Sequence, residues 1–169
     1  MKVYRINSEG KRIVFTIRYA GDYFGEMSLI DGLSPSAIVQ AIKKTTVAII
    51  DDKLFWTILH SDTVFRTSFI RGLCSRIRDT HELVERLTYN NAHHRVKLLF
   101  MNYFIKQNKG NDNNSIILTT QLTHQDIADM TGLIRETVSN VIIELTTSGE
   151  ITKRKDKLYE LHPLFFENI

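Results

Sequence analysis

The stretch from Leu122 to Leu145, LTHQDIADMTGLIRETVSNVIIEL, constrains the fold most, because two helical periods meet there at a single glycine. Thr123 followed by Asp126 is a helix-start signature: a side-chain oxygen for orphan amides and an acid for the positive end of the dipole. Ile127, Ala128 and Met130 then fall on the inward face of a helix of about two turns. Gly132 can take the left-handed conformation that ends this helix and turns the chain sharply. A second helix follows, with Val138, Val141, Ile142 and Leu145 at the i, i+3, i+4, i+7 spacing of a buried face. Two short helices joined this way predict a helix-turn-helix.

The other face of the second helix carries the chemistry. Arg135 and Glu136 sit in its first turn, with Ser139 and Asn140 one turn later. A helix entering a major groove N-terminus first would present these four as base readers, Arg to guanine O6 and N7, Glu to cytosine N4. Thr123, Gln125 and Thr137 are short polar groups suited to phosphates, which set register without reading sequence. Residues 151–161, ITKRKDKLYEL, predict a hairpin with a basic tip, a wing that brings Lys153, Arg154 and Lys155 to the DNA backbone. Ile134, just ahead of the second helix, is a poor N-cap. The bland alternative is a solvated helix start, and the glycine turn and the wing weigh against it.

Upstream, Val3 to Ile6 and Arg12 to Ile17 flank the turn cluster Asn7-Ser8-Glu9-Gly10 and predict a hairpin. Gly21-Asp22 and Asp31-Gly32 bracket a short segment, Tyr23 to Ile30, and further strands are expected at 37–41 and 46–50, a roll or barrel fragment. From Asp62 to Tyr89 there is no proline, and Ile70, Leu73, Ile77, Thr80, Val84 and Leu87 recur at alternating spacings of three and four. That stripe fits a helix packed on its own domain or a parallel two-helix dimer seam, and nearly three repeats favour the seam. Cys74, one position beyond Leu73, is expected to be packed. A further helix is predicted from Ala92 to Lys106, with Val96, Leu99, Phe100 and Phe104 on one face, and Gln107 to Ser115 (QNKGNDNNS) as a polar loop.

Composition excludes more than it selects. The net charge of +3 hints at a polyanionic partner, yet residues 1–90 carry 13 basic and 10 acidic groups and residues 91–169 carry nine of each, so bulk charge picks out neither half. High apolar content argues against disorder, and no apolar run approaches the length of a membrane span or a signal-peptide core, so no membrane partner is expected. A lone cysteine allows no internal disulfide and fits a reducing compartment. His93-His94 has no carboxylate or thiol at ligand spacing, and no phosphate loop, nucleophile elbow or HExxH occurs, so neither a metal site nor an enzyme is expected.

From Lys2 to Leu161 the chain resembles the catabolite activator and fumarate/nitrate-reduction regulator (Crp/Fnr) superfamily of transcription factors. GDYFGEMSLIDG is similar to the turn and short helix of that family's effector-binding jelly roll, and LTHQDIADMTGLIRETVSNVIIEL to its helix-turn-helix signature. Within the family, RGLCSRIRDTHELVERL resembles the dimer helix of the global nitrogen regulator of cyanobacteria and plastids. The resemblance implies an α+β chain: a partial, N-terminally short, cyclic-nucleotide-binding-like jelly roll (1–60), a long dimerisation helix (61–90) and a winged helix-turn-helix domain (91–169). It implies a homodimer that binds palindromic double-stranded DNA and recruits RNA polymerase, with Arg135 and Glu136 as base readers. Asn140 stands where the family often has a third reader, an arginine. The opening strands of the roll are expected to be missing before Met1.

The resemblance also places an effector pocket at Phe24, Gly25, Glu26, Met27, Arg76 and Thr80. Cyclic nucleotide is disfavoured, because Pro35-Ser36 replaces the Arg-Ser/Thr pair that neutralises its phosphate, no arginine lies between Arg18 and Arg66, and an uncompensated anion beside Glu26 would be repelled. Arg76 matches a helix cation that holds 2-oxoglutarate in the nitrogen regulator, so that effector and a vestigial, effector-free pocket both stand as expectations. The expected function is an activator under nitrogen control. The alternatives are a regulator of another regulon and a ligand-sensing interaction module that does not bind DNA. A composition rich in Ile, Asn and Lys points to a plastid stroma, with a bacterial cytoplasm as the alternative.

Overall fold

A computed structural model describes residues 1–108 and 116–167. The chain divides into two compact units, Met1–Leu83 and Val84–Ile169. The first opens with the expected hairpin, β1 (Lys2–Ile6) paired antiparallel to β2 (Arg12–Ile17). Asn7 builds the turn, its Oδ1 accepting from the Glu9 and Lys11 amides at 3.1 and 2.8 Å, and Gly10 supplies φ 77°. The short β3 (Ile38–Gln40) joins the other edge of β1, giving the order β2-β1-β3. Between two left-handed glycines, Gly25 and Gly32, lies α1 (Glu26–Asp31).

The strand expected at 46–50 is not formed: the segment has no regular structure, and Val47 and Ile49 are exposed. A β segment needs a neighbour for its amides and carbonyls, and none is paired here among the described residues. Instead the chain enters α2 (Asp52–Ser61), an element the strand pattern concealed. Asp51 caps it, accepting from the Leu54 amide at 2.8 Å. Phe55 of α2 meets Phe69 at 5.4 Å between ring centroids, and Phe69 stacks on Phe65 at 6.0 Å. Both belong to α3 (Thr63–Thr88), a 26-residue helix. Cys74 is exposed, contrary to expectation, since one residue past Leu73 is about 100° around the helix.

The helix α3 ends in the second unit, and α4 (Ala92–Asn108) follows it there. Val96, Leu99 and Phe100 are buried and Phe104 is half-buried against Phe166. The helix extends two residues into the expected polar loop, the rest of which, 109–115, lies outside the described residues. Next come β4 (Ile117–Leu118), α5 (His124–Thr131) and α6 (Arg135–Thr147). Last are β5 (Ile151–Lys153), β6 (Tyr159–Leu161) and α7 (Pro163–Glu167). The strands form a sheet of order β4-β6-β5, so the wing hairpin is backed by a third strand. The core here comprises Ile127, Val138, Leu145, Ile151, Tyr159 and Phe165, none more than 1% exposed.

Candidate nucleic-acid interface

Thr123 closes a capping box on α5. Its hydroxyl oxygen accepts from the Asp126 amide at 3.1 Å, and the Asp126 carboxylate accepts from the Thr123 amide at 3.2 Å. Gly132 then turns the chain at φ 69°, and a Cβ there would stand 3.2 Å from Leu87 Cδ2. The next helix, α6, begins without a side-chain cap at Ile134, as its sequence predicts. Its buried stripe is Val138, Val141, Ile142 and Leu145, which leaves Arg135, Glu136 and Asn140 exposed on the far side. Together with half-buried Ser139 these side chains line one open depression, so the structure gathers all four expected readers.

One of them differs from the rest in freedom. Arg135, Glu136 and Asn140 face solvent, whereas the Ser139 hydroxyl is occupied, donating to the Arg135 carbonyl at 3.0 Å and lying 2.8 Å from His124 Nδ1. Of the expected phosphate groups, Thr123 is exposed but engaged in the box, and Gln125 donates to Asp129 at 2.6 Å. Thr137 is half-buried in the first turn of α6. The wing tip between β5 and β6 holds Lys153, Arg154 and Lys155, all exposed. Arg154 is shared between Asp156 at 3.3 Å and Glu160 at 3.4 Å, and those bonds and charges raise its pKa. Lys153 lies over the Tyr159 ring at 5.6 Å. The Tyr159 hydroxyl is buried, and burial pushes its pKa up to about 12.

One buried ion pair supports this surface from below. Lys97 of α4 donates to Glu150 at 2.5 Å, with the Lys97 side chain only 2% exposed, and the Ser148 hydroxyl donates to the same carboxylate at 3.0 Å. Burial works to raise the Glu150 pKa, but the bonds from Lys97 and Ser148 and the Lys97 charge outweigh it and the pKa falls. The pair ties α4 to the turn between α6 and β5.

In the first unit Glu26, Arg76 and Thr80 of the expected effector residues come together. Glu26 is buried, and Arg76 pairs with it and also donates to the Tyr23 carbonyl. The pair joins α1 to α3, 50 residues apart in sequence. Gly25 sits at φ 85°, Phe24 and Met27 are partly exposed, and Thr80 bonds back to the Arg76 carbonyl at 3.0 Å. Arg18, which carried no expectation, belongs to this group: burial and the neighbouring Arg76 charge lower its pKa. Gly72 has a reason too, since a Cβ there would run into the Tyr23 hydroxyl. Among the described residues no group of three or more His, Cys, Asp or Glu is placed to hold a metal, and no helix is long and apolar enough to cross a membrane.

Residues 96–163 match the Crp-like helix-turn-helix domain, and residues 1–62 match the cyclic nucleotide-binding domain. The chain belongs to the Crp/Fnr family. Family members are transcription regulators. Its jelly-roll fragment, long helix and C-terminal helix-turn-helix are the Crp-like arrangement. The chain is 28% identical over 137 residues to the cAMP-activated global transcriptional regulator CRP of Haemophilus influenzae, covering 80% of this chain and 60% of that protein. It is 23% identical over 166 residues to the global nitrogen regulator of Synechococcus elongatus, covering 97% of this chain and 74% of that one. A solved structure of a CooA variant from Carboxydothermus hydrogenoformans superposes with a TM-score of 0.78 at 22% identity, over 98% of this chain and 73% of the other. The chain spans 60–66% of the length of the cyclic-AMP regulators it matches.

Proposed function

We propose that this chain is a sequence-specific DNA-binding transcription regulator that acts as a homodimer on a palindromic operator and recruits RNA polymerase. The observation that carries the reading is the solvent-facing side of α6, where Arg135, Glu136 and Asn140 stand together, in a unit whose wing also exposes Lys153 and Lys155. Such a helix end, flanked by cations, suits base readout in a major groove with phosphate contacts alongside. Ile70, Ile77 and Val84 of the seam are each more than half exposed in the single chain, which favours a second copy of α3 as their cover.

Arg135→Ala is expected to relax discrimination at one base pair of each half-site, by about 1–3 kcal/mol. Lys153→Ala is expected to weaken all duplexes about equally and to reduce the salt slope by roughly one phosphate contact. A mobility-shift series against a GTA-spacer-TAC palindrome, a catabolite-type palindrome and random duplex, at several salt concentrations, measures both. Flat salt dependence, or no preference for any palindrome, would overturn the reading in favour of an interaction module.

The nitrogen-control assignment rests on likeness to the cyanobacterial regulators and on the sequence of α3. For the effector, Arg76 is already held by Glu26 and the Tyr23 carbonyl, which favours an effector-free pocket over 2-oxoglutarate. Heat on titration with millimolar 2-oxoglutarate would reverse that preference. Composition supports a plastid stroma or a bacterial cytoplasm as the place of action.

A further inference from the structure

His124, the first residue of α5, lies between the two helices of the motif and next to the wing. The Ser139 hydroxyl spends its only proton on the Arg135 carbonyl, 3.0 Å away. With that proton on the carbonyl, the contact with His124 Nδ1 at 2.8 Å is made by the ring as donor, which assigns the hydrogen to Nδ1. His124 Nε2 is buried and has no hydrogen-bond partner among the described residues. The charged groups facing the ring are Lys153 on β5 and Arg135 on α6. The carboxylates of its own helix, Asp126 and Asp129, are bonded to Thr123 and Gln125. A second proton would thus be placed at a buried nitrogen with no acceptor and beside two cations.

We infer that His124 is a positioning residue for base reading: as the neutral Nδ1–H imidazole it clamps the first turn of α6 through Ser139, and Ser139 is part of the clamp, not a base reader. This inference rests on the DNA-binding reading above. Three residues, one from each side of the glycine turn and one backbone carbonyl, form a single chain from ring to hydroxyl to Arg135. The Arg135 side chain leaves from the residue whose carbonyl ends that chain, so the clamp fixes the platform from which its guanidinium reaches a base.

The sign of the pH effect follows from the same geometry. Burial, then the Lys153 and Arg135 charges, hold the His124 pKa below its ordinary 6.5. A group with a depressed histidine pKa contributes its stabilisation above the ordinary value and loses it as pH falls toward the folded one. To be protonated, the ring must turn Nε2 out to water, and the Ser139 bond breaks. DNA phosphates near Lys153 favour the protonated ring, so total affinity rises in acid while discrimination falls. The informative quantity is consequently the ratio of operator to random-duplex affinity.

The test uses the full chain and the duplex that selection from a random library enriches. Between about pH 8 and about pH 5.5 the wild-type ratio is expected to fall several-fold. His124→Asn keeps a donor near the Nδ1 position and removes the titration, so it should retain the ratio at high pH and flatten the profile. His124→Leu and Ser139→Ala should lower the ratio by about five- to tenfold at high pH, the range one hydrogen bond supplies, with the loss concentrated at the base pair that Arg135→Ala relaxes. In the free protein, imidazole nitrogen shifts should report Nδ1–H and a bare Nε2. A ring protonated at Nε2 instead, a wild-type profile identical to that of His124→Asn, or, in Ser139→Ala, loss at a base pair other than the one that Arg135→Ala relaxes overturns the inference and leaves the DNA reading intact. No enriched duplex at any pH overturns the DNA reading, and the inference with it.

Discussion

Among the described residues, the first unit buries Tyr4, Val14, Ile17, Phe55 and Phe69, while the second buries more than a dozen apolar side chains, from Val96 and Phe100 through Leu122 and Val138 to Phe165. The exposed side tells the converse: Phe15, Met27, Leu33, Val47 and Ile49 of the first unit are at least 40% exposed, and Ile49 is 88% exposed. Burial of apolar area is the main favourable term in folding, at about 25 cal/mol per Å². The helix-turn-helix unit therefore carries its own stability, and the sheet of β2, β1 and β3 carries much less. In the proposed function, recognition is therefore assigned to the better-packed half of the chain, where a reader one ångström out of place would cost discrimination.

The sharpest way to break this comparison is to cut the buried ion pair. Glu150→Ala should leave Lys97 buried without its carboxylate and cost the second unit about 3–5 kcal/mol, whereas Lys97→Met with Glu150→Leu should come near neutral. Urea unfolding followed by the single Trp56 reports the first unit and circular dichroism reports both, so the loss should show only in the helical signal. Leu145→Ala is next, at about 2–5 kcal/mol, again lowering only the second transition. If both units unfolded together in every variant, the two would be one cooperative body.

Lowering the pH sharpens the contrast from the same pair. The Glu150 pKa is depressed below its ordinary 4.5, so its contribution is complete above that value and disappears as pH falls through the lower, folded one. Thermal melts should accordingly show the second unit losing its advantage only below about pH 4.5. Amide exchange gives a gentler measure: β1 to β3 should exchange faster than α4 to α6 at neutral pH, and equal protection would contradict the difference in burial. The smallest effect is expected at Gly72. An alanine there gains about 1 kcal/mol of helix propensity but displaces the Tyr23 hydroxyl from the Phe69 carbonyl, so Gly72→Ala should shift the first unit by less than about 1 kcal/mol.

Local chemistry made the second unit legible before any coordinates. The capping box at Thr123, the left-handed Gly132, the uncapped Ile134 and the stripe from Val138 to Leu145 all depend on residues within a turn or two of each other. The same holds for the Asn7 to Gly10 turn. Where pairing depends on distant chain the reading was incomplete. Residues 46–50 have β-branched composition but no strand to pair with, and β4 is too short to announce itself. Asp51 is a cap signal for α2 that the β-branched run just before it masks.

Side chains of the candidate site divide along the same line. That Arg135, Glu136 and Asn140 share an exposed face follows from helical periodicity alone, because successive residues are fixed about 100° apart. That Ser139 is clamped by His124, that Glu26 is neutralised by Arg76, and that Arg18 stands beside both are matters of long-range packing. Sequence determined the elements and their polar faces, since hydrogen bonding and side-chain period act over a few residues. Tertiary structure decided which of those polar groups are free to meet a ligand and which are already spent on one another, since only folding brings residues 15 to 53 positions apart within bonding distance.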